Sequence, residues 1–107
     1  NAYSIFWDWL DGDVKLNDMI DLAVEKIVAV EHDCEMRTIQ MIKDENLPID
    51  VEVYTRSANS YLTFLNYVKS VRSWSKCDLI GDESILTKMP SELLEPKAFK
   101  ELSSVFI

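Results

Sequence analysis

Residues 17–45 read NDMIDLAVEKIVAVEHDCEMRTIQMIKDE, and this stretch decides the fold class. Leu16, Ile20, Ala23, Ile27, Val30, Cys34 and Met41 recur at spacings of four and three, broken once by Arg37. A helix turns once in about 3.6 residues, so this rhythm lines them up on one face. Met19, Val24, Val28, Ile39 and Ile42 widen that face, as a helix packed inside a bundle requires. Asn17 is a good N-cap, and Asp18 and Asp21 in the first turn suit the positive end of the helix dipole. At the other end Asn46-Leu47-Pro48 stops the helix, because the residue before a proline avoids the α region. The expected helix, about 28 residues long, spans roughly 42 Å.

A second helical segment opens at Asp50 and continues to Cys77. Its stripe is Tyr54, Ala58, Tyr61, Leu62, Leu65, Val68 and Val71, with Phe64, Tyr67 and Trp74 on its shoulders. Val51, Val53 and Thr55 alternate like a strand, but the following turns outweigh them. The short link between the two segments makes them antiparallel neighbours. Tyr3–Leu10 reads as a short helix with Ser4 as its N-cap, a strand being the alternative, and Asp11-Gly12-Asp13 stops it. Past the Gly81 break, Asp82 caps a helix through Met89, and Pro96 leads a last helix through Phe106. The fold class is therefore all-α. The expectation is a single-domain helical bundle over residues 1–107, built on a long antiparallel hairpin (17–45 and 51–77) with short N- and C-terminal helices.

Composition agrees. Of 107 residues, 48% are hydrophobic and 28% charged, close to an ordinary globular domain. Two Gly and three Pro argue against a turn-dense β-sandwich and against a glycine-rich phosphate loop. No apolar run suits a membrane span, and no secretory leader is visible. Cys34 and Cys77 lack CxxC spacing and fall in helical patterns, so they are expected as reduced, buried thiols of a cytoplasmic protein. His32 is the one histidine and shares no helical face with Cys34, so neither a zinc site nor a nucleophile–base dyad is expected there. No cofactor and no metal are expected.

Charge is unevenly placed. The chain carries a net charge of −8; residues 1–50 hold twelve acids against four bases, and residues 51–107 hold seven of each. A concentrated negative field repels nucleic acid and anionic lipid and attracts basic partners. The bases Arg56, Lys69, Arg72 and Lys76 of the second segment are expected to pair with the acidic first helix and fix the hairpin register. Asp11-Gly12-Asp13 suggests a calcium loop, but Leu16 and Leu22 stand where an EF-hand needs Gly and Glu. Asn17, Asp21 and Glu25, four apart on one face, resemble the second metal-binding motif of class I terpene cyclases, with Asp21 in place of its usual Ser or Thr. That resemblance implies Mg²⁺ on those three residues and a prenyl diphosphate substrate. It covers nine residues, with no aspartate-rich first motif upstream.

The main functional candidate is the acidic, aromatic N-terminal cluster: Trp7, Asp8, Trp9, Asp11, Asp13, Asp18, Asp21 and Glu25. Tryptophans bury large areas at interfaces, and carboxylates beside them meet Lys and Arg much as phosphates do. With no catalytic constellation in view, the reading is a binding protein rather than an enzyme. Its expected form is a small acidic inhibitor of the immunity-protein or antitoxin type, with a basic protein, such as a toxin nuclease, as partner. Two alternatives stand beside it: a helical structural or regulatory subunit that forms a homodimer, and a metal-dependent enzyme using helix carboxylates.

Overall fold

The computed structural model describes residues 1–107, and every regular element is helical. Helix α1 spans Ala2–Leu10. Its cap is Asn1, whose side-chain oxygen accepts the Ser4 N–H at 3.0 Å, so the capping role expected of Ser4 belongs to Asn1. The chain then turns at Gly12, whose φ of +118° a side chain would disfavour.

A 3₁₀ run, Val14–Met19, leads into α2, Ile20–Asp44. Asn17 lies inside the 3₁₀ run and does not cap α2; its Oδ1 accepts the Trp9 indole N–H at 2.9 Å. A helix that continues a 3₁₀ turn has carbonyls ahead of it for its first N–H groups, so a side-chain cap is dispensable. At the far end Asn46 is left-handed (φ 48°), and the Leu47 N–H donates to the Ile42 carbonyl at 3.0 Å. Asn tolerates this conformation, and the returning N–H groups satisfy the last carbonyls.

Helix α3, Val51–Val71, starts at Asp50, whose carboxylate accepts the N–H groups of Glu52 and Val53 at 3.0 and 3.2 Å. It stops short of the expected Cys77, because Arg72 adopts a left-handed conformation (φ 51°, ψ 46°). The Arg72 guanidinium explains the break. It donates to the Trp9 carbonyl at 3.0 and 2.7 Å and lies 4.9 Å from the Trp9 ring centroid. A cation on the last carbonyls of α1 also complements that helix's dipole. The turn carries Trp74 back onto Phe64, with ring centroids 5.1 Å apart. Cys77–Gly81 is 3₁₀, and α4, Glu83–Leu86, is capped by Asp82 as expected but ends before Met89. Pro96 opens a 3₁₀ turn that leads into α5, Phe99–Leu102, and a closing 3₁₀ turn, Ser103–Phe106.

The all-α hairpin with short terminal helices is thus the architecture, with α3 at its centre. Phe6, Trp9, Ile20, Val24, Ile27 and Val28 form one core with Leu62, Phe64, Leu65 and Val68, which Ile85, Met89, Phe99 and Phe106 complete. The buried face of α2 differs from the expected stripe beyond Ile27. Val30 and Met41 are half exposed and Cys34 lies open, while Glu31 and Glu35 turn inward; Ile39 and Ile42 face inward as expected. Counting apolar residues favours Val30 and Cys34; the neighbouring helices instead offer phenol groups to the glutamates. Both cysteines are free and exposed, so the expectation of buried thiols fails.

The side of α3 away from α2 is polar and buried. Asn59, Ser60 and Thr63 have no solvent exposure. The Asn59 amide nitrogen donates to the carbonyls of Pro90 and Glu92 at 3.0 and 2.9 Å, and its oxygen accepts the Leu94 N–H at 3.0 Å. Ser60 donates to the Ile80 carbonyl at 2.7 Å. From α2, the His32 Nε2 lies 2.9 Å from the Leu94 carbonyl, which fixes Nε2 as the protonated nitrogen. Replacing Asn59 by Ala strands three backbone groups, so Asn59→Ala should cost about 2–4 kcal/mol in urea unfolding. Gln40→Ala, which removes an exposed bond to Asp44, should change stability by less than about 0.5 kcal/mol.

Candidate functional site

The acidic corner is built by α1, the Gly12 turn and the 3₁₀ run. On α1, Phe6 and Trp9 are three apart and point inward, at 2% and 5% exposure; Trp7 points outward at 45%. Trp9 is therefore a core residue, contrary to its expected role as an interface anchor. Its ring is covered by Arg72, its N–H is held by Asn17, and its carbonyl by the same guanidinium. Trp7 remains available. Its inner edge rests on Phe6 and Trp74, with centroids 5.2 and 5.3 Å away, so the ring is braced as well as exposed.

The carboxylates divide by environment. Asp8, Asp11 and Asp18 are exposed and make no side-chain hydrogen bond or ion pair within the chain. Asp13 is exposed and accepts the Lys15 N–H at 3.1 Å, capping the 3₁₀ run. Asp21 and Glu25 belong to a different feature, a groove between α2, α3 and the C-terminal helical run. Asp21 there meets the Lys69 ammonium at 3.4 Å. This is the one ion pair that crosses the hairpin, so the expected network of bases on the acidic helix is not formed. Arg72 instead holds the Trp9 carbonyl, Lys76 donates to the Phe106 carbonyl at 3.2 Å, and Arg56 has no ion-pair partner.

The residues do not fit the Mg²⁺ site implied by the terpene-cyclase resemblance. Asn17 is engaged by Trp9, Asp21 is engaged by Lys69, and no group of three or more His, Cys, Asp or Glu side chains is placed to hold a metal ion. In comparisons with protein families, curated proteins and solved structures, none matches the chain. No helix is long and apolar enough to cross a membrane.

A second polar cluster lies where α1, α2 and α3 meet. Glu31 Oε1 accepts the hydroxyls of Tyr3 at 3.3 Å and Tyr61 at 3.5 Å, long contacts that are weak as hydrogen bonds. One turn on, the buried Oε2 of Glu35 has no partner. Burial first, and then the Glu31 charge, push the Tyr61 phenol up to about 12. Burial, followed by Glu31 for Tyr3 and Glu35 for Tyr54, also raises those two phenols.

Sequence periodicity passed over this cluster because glutamates on a core-facing stripe break the apolar count. The signal available was the pair of phenols, Tyr54 and Tyr61, on the core-facing stripe, since a buried hydroxyl needs a polar partner. A raised phenol pKa means the fold favours the neutral ring. That stabilisation is whole below the ordinary value of 10.0 and disappears as pH rises toward 12. Urea midpoints should therefore fall between those two pH values, and Tyr61→Phe should make the decline shallower.

Proposed function

We propose that this protein is a binding module, not an enzyme, and that its acidic corner docks onto a basic surface of another protein. The observation that carries the reading is Trp7, held exposed against Phe6 and Trp74 on the helix that also carries Asp8, with Asp11 and Asp18 on the turn and the 3₁₀ run that follow, carboxylates that no base in the chain neutralises. A braced aromatic ring loses little entropy on burial, and free carboxylates around it steer and orient a cationic partner. Asp13 adds a fourth charge from the Gly12 turn. A nuclease fits the partner role because its active site must be cationic to hold phosphates; the mechanism is then occlusion of that site, as in an immunity protein or antitoxin. Two free, exposed thiols suit a reducing, cytoplasmic setting.

A second reading, self-association, draws on the far end of the hairpin. There Met36, Met41, Ile49 and Val53 are each about half exposed on α2, α3 and the link between them.

The test immobilises the protein beside an Asp8→Asn/Asp11→Asn/Asp13→Asn variant and captures proteins from host lysate at low and high salt. A basic protein retained by the wild type at low salt, lost at high salt, lost by the variant and inhibited in a nuclease assay supports the proposal. Equal retention by both forms, or no salt-sensitive capture, overturns it. Sizing the free protein across concentrations separates self-association from partner binding.

A further inference from the structure

The groove that holds Asp21 and Glu25 inverts the charge balance of the molecule. The whole chain has 19 acids against 11 bases, yet this groove collects three lysines, Lys69, Lys97 and Lys100, around two carboxylates. Its volume is about 410 Å³, enough for a small ligand, and the buried side chains of Val24 and Val28 lie at its base. Three elements each contribute polar groups: carboxylates from α2, Asn66 and Lys69 from α3, and two ammoniums from the run that starts at Pro96.

Most of these groups have no partner within the chain. Lys69, with 18% of its side chain exposed, is committed to Asp21. Glu25, Lys97 and Lys100 form no ion pair although they line one groove, and the half-buried Asn66 carboxamide makes no hydrogen bond. Opposite charges that share a concavity without closing on each other leave room between them. The arrangement is ordered: the free carboxylate stands on α2, and the two free ammoniums stand three residues apart on the C-terminal run.

We propose that the groove binds a small zwitterion, with its oxyanion on Lys97 and Lys100 and its ammonium on Glu25. The Asn66 carboxamide, a donor and an acceptor in one group, serves either end. Charge-assisted hydrogen bonds at both ends set the orientation, and the aliphatic floor covers the linking carbons. The oxyanion can be a phosphate or a carboxylate; the lysine pair recognises both. This site is independent of the acidic corner and of any protein partner.

The experiment titrates ¹⁵N-labelled protein with O-phosphoethanolamine and with γ-aminobutyrate, and with inorganic phosphate, butyrate and ethanolamine as the separate halves. At least one zwitterion should give saturable shifts at amides lining the groove and bind more tightly than either half. Phosphoethanolamine alone identifies a phosphate ligand, aminobutyrate alone a carboxylate ligand, and both together a site that accepts either. Lys97→Gln/Lys100→Gln should weaken zwitterion and phosphate alike by about tenfold or more, as loss of charge-assisted contacts implies. Glu25→Gln should remove the advantage of the zwitterion over its anionic half and leave that half bound. All three positions are exposed, and the unchanged spectrum away from the groove reports an intact fold. No groove shifts at millimolar ligand, no advantage over the halves, or variants that bind like wild type would each overturn the proposal.

Discussion

The buried carboxamide of Asn59 is the constraint on which the rest of the arrangement depends. Residues 90–94 belong to no regular element and make no backbone–backbone hydrogen bond, so their backbone groups need other partners. A single side chain inside α3 answers two carbonyls and one N–H of that segment, using both ends of the amide. Ser60 holds Ile80 and His32 holds the Leu94 carbonyl from the opposite helix. These bonds seat the chain so that Met89 and Phe99 reach the core, and they set where the C-terminal run crosses α2. The groove of Glu25, Lys97 and Lys100 exists because that crossing is fixed.

Ion pairs contribute little to this frame. Of 19 acids, two are paired, and each of those two pairs has at least one side chain largely in water. The cations that matter act on carbonyls and rings instead: Arg72 on Trp9, Lys76 on Phe106 and over Tyr67. The negative charge of the first half thus remains uncompensated at the surface. Its cost in self-repulsion falls on exposed groups, where solvent and salt screen it.

What was legible in the sequence was whatever is decided within a turn or two. The hairpin, the opening of α3 at Asp50, the cap at Asp82, the Pro96 start and the stop after Asp44 all follow from neighbours in the chain. What was not legible depends on distant partners. Asn17 looks like a cap until Trp9 takes its oxygen. Arg72 looks like one more helical base until its guanidinium finds the end of α1 and the helix breaks. Glu31 and Glu35 look like solvated positions until Tyr3, Tyr54 and Tyr61 surround them. In the candidate site, Trp7 and Trp9 are alike by composition. Only the pairing of Trp9 with Phe6 at helical spacing separates the core ring from the exposed one, and that signal was in the sequence.

The polar face of α3 also bears on the order of assembly. The contacts between α2 and α3 join neighbours along the chain, and helical hairpins of this kind form quickly. The bonds of Asn59 and Ser60 wait for residues 80 to 94, and the aromatic contacts of Phe64 and Tyr67 wait for Phe106. A hairpin formed before those residues dock therefore presents the Asn59 amide and the Ser60 hydroxyl among its uncovered apolar side chains. Water can satisfy those groups in the interval, so the half-built molecule is less adhesive than an all-hydrocarbon face would make it. Docking then exchanges that water for backbone partners that only the correct segment supplies.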